Sequence, residues 1–198
     1  DLLLAPDEVA RKNLQNEGLT KNIHVVGSTS WEASLRNVEI ARQKSVILER
    51  LSLTGKEFAL ATIHRAENTT KEILPRLIEA MNKIAERIPV VIPLHPRTKK
   101  MVEKFELQFS EKVVVLEPLG YLDMLMLLNS AKFLMSGSGG LQEEAAALDT
   151  PCLIIRNETE WTYLTDAGKN KLVSNDGEKV VQEVFSILDN PQLLEAMK

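Results

Sequence analysis

The sequence has little of what builds metal centres or disulfide frameworks. Among 198 residues it holds one cysteine, Cys152, and three histidines. A lone cysteine cannot form an intrachain disulfide. Its place in the apolar run after Pro151 reads as a small core residue in a reducing, cytoplasmic setting. So few thiols and imidazoles argue against zinc, and no metal is expected. No uncharged apolar run reaches the roughly 20 residues that span a bilayer. The longest candidate, Val113 to Met135, is broken by Glu117, Pro118, Asp123 and Lys132. Positive charge is not in excess: 24 Lys and Arg face 28 Asp and Glu, a net charge of -4, which disfavours a general nucleic-acid role. No signal peptide is expected from the residues at the start of the chain. It starts at Asp1 without methionine, inside the apolar run Leu2-Leu3-Leu4, so the expectation is a piece of a longer protein. Walker loop, Gly-x-Gly-x-x-Gly fingerprint, Gly-x-Ser-x-Gly elbow, internal repeat and low-complexity segment are all lacking.

What is present is the balance of a folded domain, 44% hydrophobic and 26% charged. Leu2-Leu3-Leu4 reads as a short strand, Asp7 to Glu17 as a helix stopped by Gly18, and Ile23 to Gly27 as a second strand. Thr29 or Ser30 is placed to cap a helix running to about Leu51. Leu53 to Glu57 forms a polar seam. Beyond it apolar strands alternate with helices: Phe58 to Ile63, Pro89 to Leu94, Val113 to Leu116, Phe133 to Met135, Cys152 to Ile155 and Lys171 to Val173. Helices are expected after Thr69, where Glu72 completes a capping box, over Thr98 to Leu107 and Tyr121 to Asn129, after the glycine turn with Leu141, Ala145 and Leu148 at helical spacing, near Thr159 or Glu160, over Gly177 to Leu188, and from Pro191. Continuous apolar strands alternating with helices predict an α/β fold, a doubly wound and mostly parallel sheet covered on both faces. Residues 1–53 and 54–198 are the expected divisions.

Ligands bind such sheets at the carboxyl ends of the strands. The chemistry-bearing residues gather there. Ser136-Gly137-Ser138-Gly139-Gly140-Leu141-Gln142-Glu143-Glu144 reads as strand end, glycine turn and helix start. Unpaired N–H groups and partial positive charge at a helix N-terminus attract phosphate, and glycine lets an anion come close. Glu143 and Glu144 are expected in the first helical turn, within reach of sugar hydroxyls. His64 and Arg65 follow the first main strand, and His95 and Arg97 follow the second. An imidazole there can donate to a diphosphate or exchange protons near neutral pH, and a guanidinium can pair with phosphate. Arg156 to Trp161 follows the fifth strand as a polar segment closed by an aromatic. It suits either a lid over a sugar or base, or a plain helix cap. The sequons at Asn68 and Asn157 read as chance matches.

Taken together, Thr62 to Asn68, Pro93-Leu94-His95-Pro96, Ser138 to Ala145, Arg156 to Trp161 and Ala167 to Val173 resemble the non-hydrolysing UDP-N-acetylglucosamine 2-epimerases in composition and order. The resemblance covers the whole chain. It implies a Rossmann-like second domain of a glycosyltransferase-B-type enzyme, preceded by a short remnant of the first domain. It implies interconversion of UDP-N-acetylglucosamine and UDP-N-acetylmannosamine by elimination of UDP to a 2-acetamidoglucal and re-addition with C2 inverted. By the family pattern His64 is catalytic, Ser138, Gly139 and Gly140 hold the phosphates, Glu144 accepts from the ribose, and Leu119 and Met124 flank the uracil. Arg65, His95, Glu143 and Trp161 are secondary candidates. No cofactor is implied. The partners implied are a UDP-sugar, the enzyme's own N-terminal domain with its proton-moving carboxylates, and a second copy in a homodimer.

Two positions depart from the family pattern: Gly137 stands where Asp is usual, and Trp161-Thr162 where Arg-Pro is frequent. A glycosyltransferase donor domain, a non-catalytic UDP-sugar-binding module and a hydrolysing relative are the competing readings.

Overall fold

The computed structural model describes residues 1–198. A small parallel pair leads, β1 (Leu3–Ala5) beside β2 (Ile23–Val25), joined by helix α1 (Glu8–Asn16). Asp7 caps α1 by accepting from the Ala10 N–H at 2.6 Å.

The following helix is divided, which corrects the expectation of one helix to Leu51. α2 spans Thr29–Lys44 and α3 spans Ile47–Arg50. Its cap is Ser28, one residue ahead of the predicted pair, accepting from the Trp31 N–H at 3.3 Å. Ser45 ends α2 in extended backbone. Its hydroxyl donates to Asp123 at 2.5 Å and accepts from the Ile47 N–H at 3.3 Å. A serine that bonds both a neighbouring helix and its own backbone competes with the helical ladder, and here it breaks it.

Six strands then form one parallel sheet: β3 (Ala59–Thr62), β4 (Val90–Pro93), β5 (Val113–Leu116), β6 (Phe133–Ser136), β7 (Cys152–Ile154) and β8 (Asn170–Leu172). Their order is β5-β4-β3-β6-β7-β8. The chain winds outward from β3 in one direction, then returns to β6 and winds outward in the other. This is the doubly wound order with its switch point between β3 and β6. The crossovers carry α4 (Leu74–Ala85), α5 (Pro96–Lys104), α6 (Tyr121–Ser130), α7 (Gly139–Ala147) and α8 (Thr162–Asp166), and α9 (Gly177–Asp189) and α10 (Pro191–Glu195) follow the last strand.

The side-chain period of two divides the strands between two cores. Ala59, Ala61, Phe133 and Met135 join a 24-residue cluster with Leu77, Met81 and Ile84 of α4 and Val180, Val184 and Ile187 of α9. Phe58, Leu60, Leu134 and Cys152 join an 11-residue cluster on the opposite face, with Leu127 and Leu128 of α6 and Ala145 of α7. That second cluster includes Ile47 and Leu53, so the segment after α2 closes the floor of the sheet. α2 lies against α6 and α7, with Val38 and Ala41 packed on Leu125.

Local boundaries shift in several places. The predicted capping box at Thr69 does not form: Thr69 lies in a 3-10 turn, Ala66–Thr69, and Thr70 accepts from the Ile73 N–H ahead of α4. Both threonines offer the same hydroxyl one residue apart, and packing of the turn selects the second. The α5 helix starts at Pro96 rather than Thr98, with His95 as its cap. The short helix expected near Thr159 begins at Thr162. No helix is long and apolar enough to cross a membrane.

Candidate functional site

The carboxyl ends of β3 and β6 lie side by side, with Thr62 in register with Ser136. Their hydroxyls share a hydrogen bond at 2.6 Å, and Ser136 Oγ accepts from the Ser138 N–H at 2.9 Å. This pair ties the two strand ends together and fixes the first bend of the glycine turn. Sequence reading missed it. The available signal was a hydroxyl residue ending each of two buried apolar strands.

From Ser136 the chain turns through Gly137 and Ser138 into α7, whose first residue is Gly139. Ser138 is the cap residue, and its side chain caps no backbone N–H, so the N–H groups of the first turn point outward without a side-chain acceptor. Gly139 is buried and Gly140 exposed. Glu143 and Glu144 are not in the first turn, which holds no acidic residue. The helix starts at Gly139, two residues before the first apolar position, so both carboxylates lie one turn further in. Burial pushes the Glu144 carboxyl above the usual carboxylate range, and neighbouring Glu143 adds to the rise.

Glu143 is almost wholly buried, and its Oε1 has no hydrogen-bond partner. Burial pushes its carboxyl up, while the hydroxyls of Ser28 and Tyr163 pull it down and Asp7 pushes it up further. A carboxyl raised in the folded state keeps its proton to higher pH than the unfolded one does. Its charge therefore opposes folding above the ordinary carboxylate range and not below it. Glu143→Gln is expected to raise the melting temperature near about pH 8, with the gain shrinking as pH falls toward about 4. A loss of stability at both pH values, by calorimetry, would show that the charge is compensated.

His64 and Arg65 follow β3, and His95 and Arg97 follow β4, as expected. The structure brings the two imidazoles to 5.6 Å between ring centroids. His95 Nδ1 accepts from the Arg97 N–H at 3.1 Å, so its proton sits on Nε2 when it is neutral. Thr98 donates to the Ile63 carbonyl and fastens the start of α5 to the end of β3. Burial, then His95, Arg65 and Arg97, lower the His64 pKa against the opposite pull of Glu67. His64 is therefore neutral at pH 7 and able to accept or share a proton.

Arg65 reaches under the glycine turn, donating from Nε to the Gly137 carbonyl at 3.0 Å. A Cβ on Gly137 would lie 3.3 Å from both Arg65 Cγ and Asn68 Nδ2 and 3.5 Å from Arg156 Cγ. A side chain at this position would press on the stems of both arginines and on the Asn68 amide, and this chain supplies none there. Asn68 is fully buried, donates to the Ile155 carbonyl at 2.9 Å and accepts from Asn175 at 3.1 Å. Its sequon is spent on structure.

Beyond β7, buried Arg156 donates to Glu160 Oε2 at 2.7 Å, and Glu160 Oε1 lies 3.4 Å from Arg65. Thr159 donates to Gln142 on α7 at 2.6 Å. Trp161 stands edge-on to Tyr163 with centroids 6.1 Å apart, and its indole N–H is buried without a partner. Sequence reading singled out this segment but not the ion pairs. The pair with Arg156 is local, and the pair with Arg65 depends on β6 bringing the ends of β3 and β7 together. Leu119 and Met124 sit apart from this cluster, after β5 and on α6, half-buried against the second core. No three His, Cys, Asp or Glu side chains are grouped to hold a metal ion.

The doubly wound sheet with a glycine turn opening a helix at its switch point defines a Rossmann-like domain of the glycosyltransferase-B type. The chain belongs to the UDP-N-acetylglucosamine 2-epimerase family, whose model matches residues 1–198. A UDP-N-acetylglucosamine 2-epimerase homolog of Methanococcus maripaludis is 38% identical over 190 residues, covering 93% of this chain and 53% of that protein. A UDP-2,3-diacetamido-2,3-dideoxy-D-glucuronate 2-epimerase of Pseudomonas aeruginosa is 37% identical over 193 residues, covering 95% of this chain and 52% of that protein. The crystal structure of the Methanocaldococcus jannaschii UDP-GlcNAc 2-epimerase in complex with UDP-GlcNAc and UDP superposes with a TM-score of 0.86 at 36% identity, over 96% of this chain and 54% of that one. The chain thus spans about half the length of the curated relatives it matches.

Proposed function

We propose that this chain is the nucleotide-binding half of a UDP-N-acetylglucosamine 2-epimerase. The observation that carries the reading is the glycine turn opening α7 at the switch point, flanked by neutral His64 and by Arg65. In this reading Ser138, together with the N–H groups of Gly139 and Gly140, holds the diphosphate, and Glu144 accepts from the ribose hydroxyls. Leu119 and Met124 border the uracil. Residues 1–53 are the end of a first domain and the crossing from it, and residues 54–198 the second domain.

The reaction removes the C2 proton of the sugar while the C1–O bond to UDP breaks, giving a 2-acetamidoglucal and UDP. UDP then adds back and the proton returns to the opposite face of C2. Two faces need two positioned groups. His64 serves one position at most, so the carboxylates of the first domain supply the rest, and this chain alone does not epimerise. In this reading His64 hydrogen-bonds the departing diphosphate. A cytoplasmic homodimer joined through the first domain completes the proposal.

Calorimetric titration of UDP into the 198-residue chain tests the reading. Loss of a hydrogen bond to a charged group costs about 1.5–3 kcal/mol. Glu144→Ala is therefore expected to weaken UDP binding by roughly ten- to a hundredfold, and His64→Ala to weaken it less. Binding untouched by both changes would place the nucleotide elsewhere. The sugar is tested on the two-domain enzyme by offering UDP-N-acetylglucosamine and the diacetamido-glucuronate analogue side by side. Turnover of the second alone would move the assignment to the activity for which the Pseudomonas relative is named.

A further inference from the structure

The N-terminus of α7 already has a carboxylate over it. A Cβ built on Gly139 would lie 2.1 Å from Glu160 Oε1 and 3.4 Å from the Trp161 indole nitrogen. Glu160 thus stands in the space that the missing side chain of Gly139 leaves open, against the first turn of the helix. The same carboxylate binds the guanidinium groups of Arg156 and Arg65, one through each oxygen. Those two arginines come from opposite sides of the turn, one after β7 and one after β3. Arg156 is more than nine-tenths buried, and its Nε is buried without a hydrogen-bond partner, 3.6 Å from Glu67 Oε1. The indole N–H of Trp161 is likewise buried and unpaired.

A helix N-terminus and two guanidinium groups make an anion site. Two buried donors without acceptors show that its hydrogen-bonding capacity is not used up. The anion present is a side chain of this chain.

We propose that Glu160 is an internal latch that occupies the diphosphate subsite of the ligand-free protein. A nucleotide diphosphate must displace it, taking over Arg65 and Arg156 as it enters. This rests on the reading of α7 as the phosphate-binding helix. Glu160 is suited to leave. Its side chain is 44% exposed and sits on the loop between β7 and α8, so the swing needs no rearrangement of the sheet. Partial burial pushes its carboxyl up, while its own backbone N–H, Arg156 and Arg65 hold it below the usual carboxylate range, so the latch is charged throughout the neutral region. The Arg156 side chain is packed along Gly137 and stays in place when the carboxylate goes. The consequence is a thermodynamic one. A site that is open one-tenth of the time binds about tenfold more weakly than an open one.

The test compares the 198-residue chain with its Glu160→Gln and Glu158→Gln variants, each titrated with UDP, inorganic pyrophosphate and uridine. Glu158 is exposed on the same loop and forms none of the ion pairs, so its variant removes one charge and no latch. Glu160→Gln is expected to tighten UDP and pyrophosphate by about tenfold and to leave uridine unchanged, with Glu158→Gln within about twofold of wild type. Equal tightening in both variants would reduce the effect to through-space charge and overturn the latch. Equal or weaker UDP binding by Glu160→Gln would also overturn it, making Glu160 a support for the arginines, while the nucleotide site stands as long as Glu144→Ala still weakens UDP. If neither wild type nor Glu160→Gln binds UDP while folded by circular dichroism, the latch and the nucleotide site fall together.

Discussion

Phe133→Ala is expected to lower the folding free energy by about 4 kcal/mol, at the high end for a core truncation. Phe133 has no exposed surface and lies in β6, which is bonded to β3 on one side and β7 on the other. Its ring belongs to the 24-residue cluster under α4 and α9. Neighbouring strands hold β6 at fixed spacing, so they cannot close over the vacated volume, and the cavity term adds to the lost transfer free energy. At roughly 2–4 °C per kcal/mol for a chain of this size, the melting temperature falls by about 8–16 °C. The effect should reach the site as well, because β6 carries the Ser136 hydroxyl that bends the glycine turn. A urea midpoint that moves by the equivalent of less than about 1 kcal/mol would mean the sheet collapses around the cavity far more freely than this register allows.

Gly177→Ala follows, with an expected loss of about 2–3 kcal/mol. The residue opens α9 with ordinary backbone angles, and alanine would favour that helix by up to about 1 kcal/mol on propensity alone. Contact decides the sign. A Cβ on Gly177 would stand 2.4 Å from the Arg76 carbonyl oxygen and 2.9 Å from its carbon, both backbone atoms of α4. No rotamer relieves a clash with backbone, so α9 must move off α4, and the packing of Val180 and Val184 moves with it. Unchanged thermal stability in the variant would show that the α4–α9 approach is soft. The contrast with Gly139 is instructive. There the atom in the way is the tip of the Glu160 side chain, which can swing aside, so a methyl group at that position costs far less stability.

Much of this was legible in the chain. The apolar runs that became β3 to β8 announced themselves because strands buried on both faces need apolar residues at every position. The glycine turn stood out because few contexts require three glycines beside a strand end. The histidine and arginine pairs after β3 and β4 were placed by the same reading, since parallel strands bring all their carboxyl ends to one edge. What failed to show was finer. The start of α7 at Gly139, and so the second-turn place of Glu143 and Glu144, goes with the hydroxyl of Ser136, which accepts from the Ser138 N–H and is itself held by Thr62 across the β3–β6 pair. The break at Ser45 depended on Asp123, 78 residues away. The choice of Thr70 over Thr69 was made between neighbours of equal capping power by how the 3-10 turn packs.

By itself the sequence determined the fold class and which polar residues gather at the strand ends, and the order of its motifs carried the resemblance to the family. The first two follow from periodicity and from local backbone chemistry, which are short-range. Only the tertiary structure decided which charges meet. Arg65, Arg156 and Glu160 stand on two loops separated by some 90 residues, and they converge because β6 returns to the switch point between β3 and β7. Whether a carboxylate lies over Gly139, whether an imidazole stays neutral and whether a buried donor finds an acceptor are questions of distance and solvent exclusion. Coulomb and desolvation energies change steeply over a few ångströms. No spacing along the chain encodes such distances before the sheet closes.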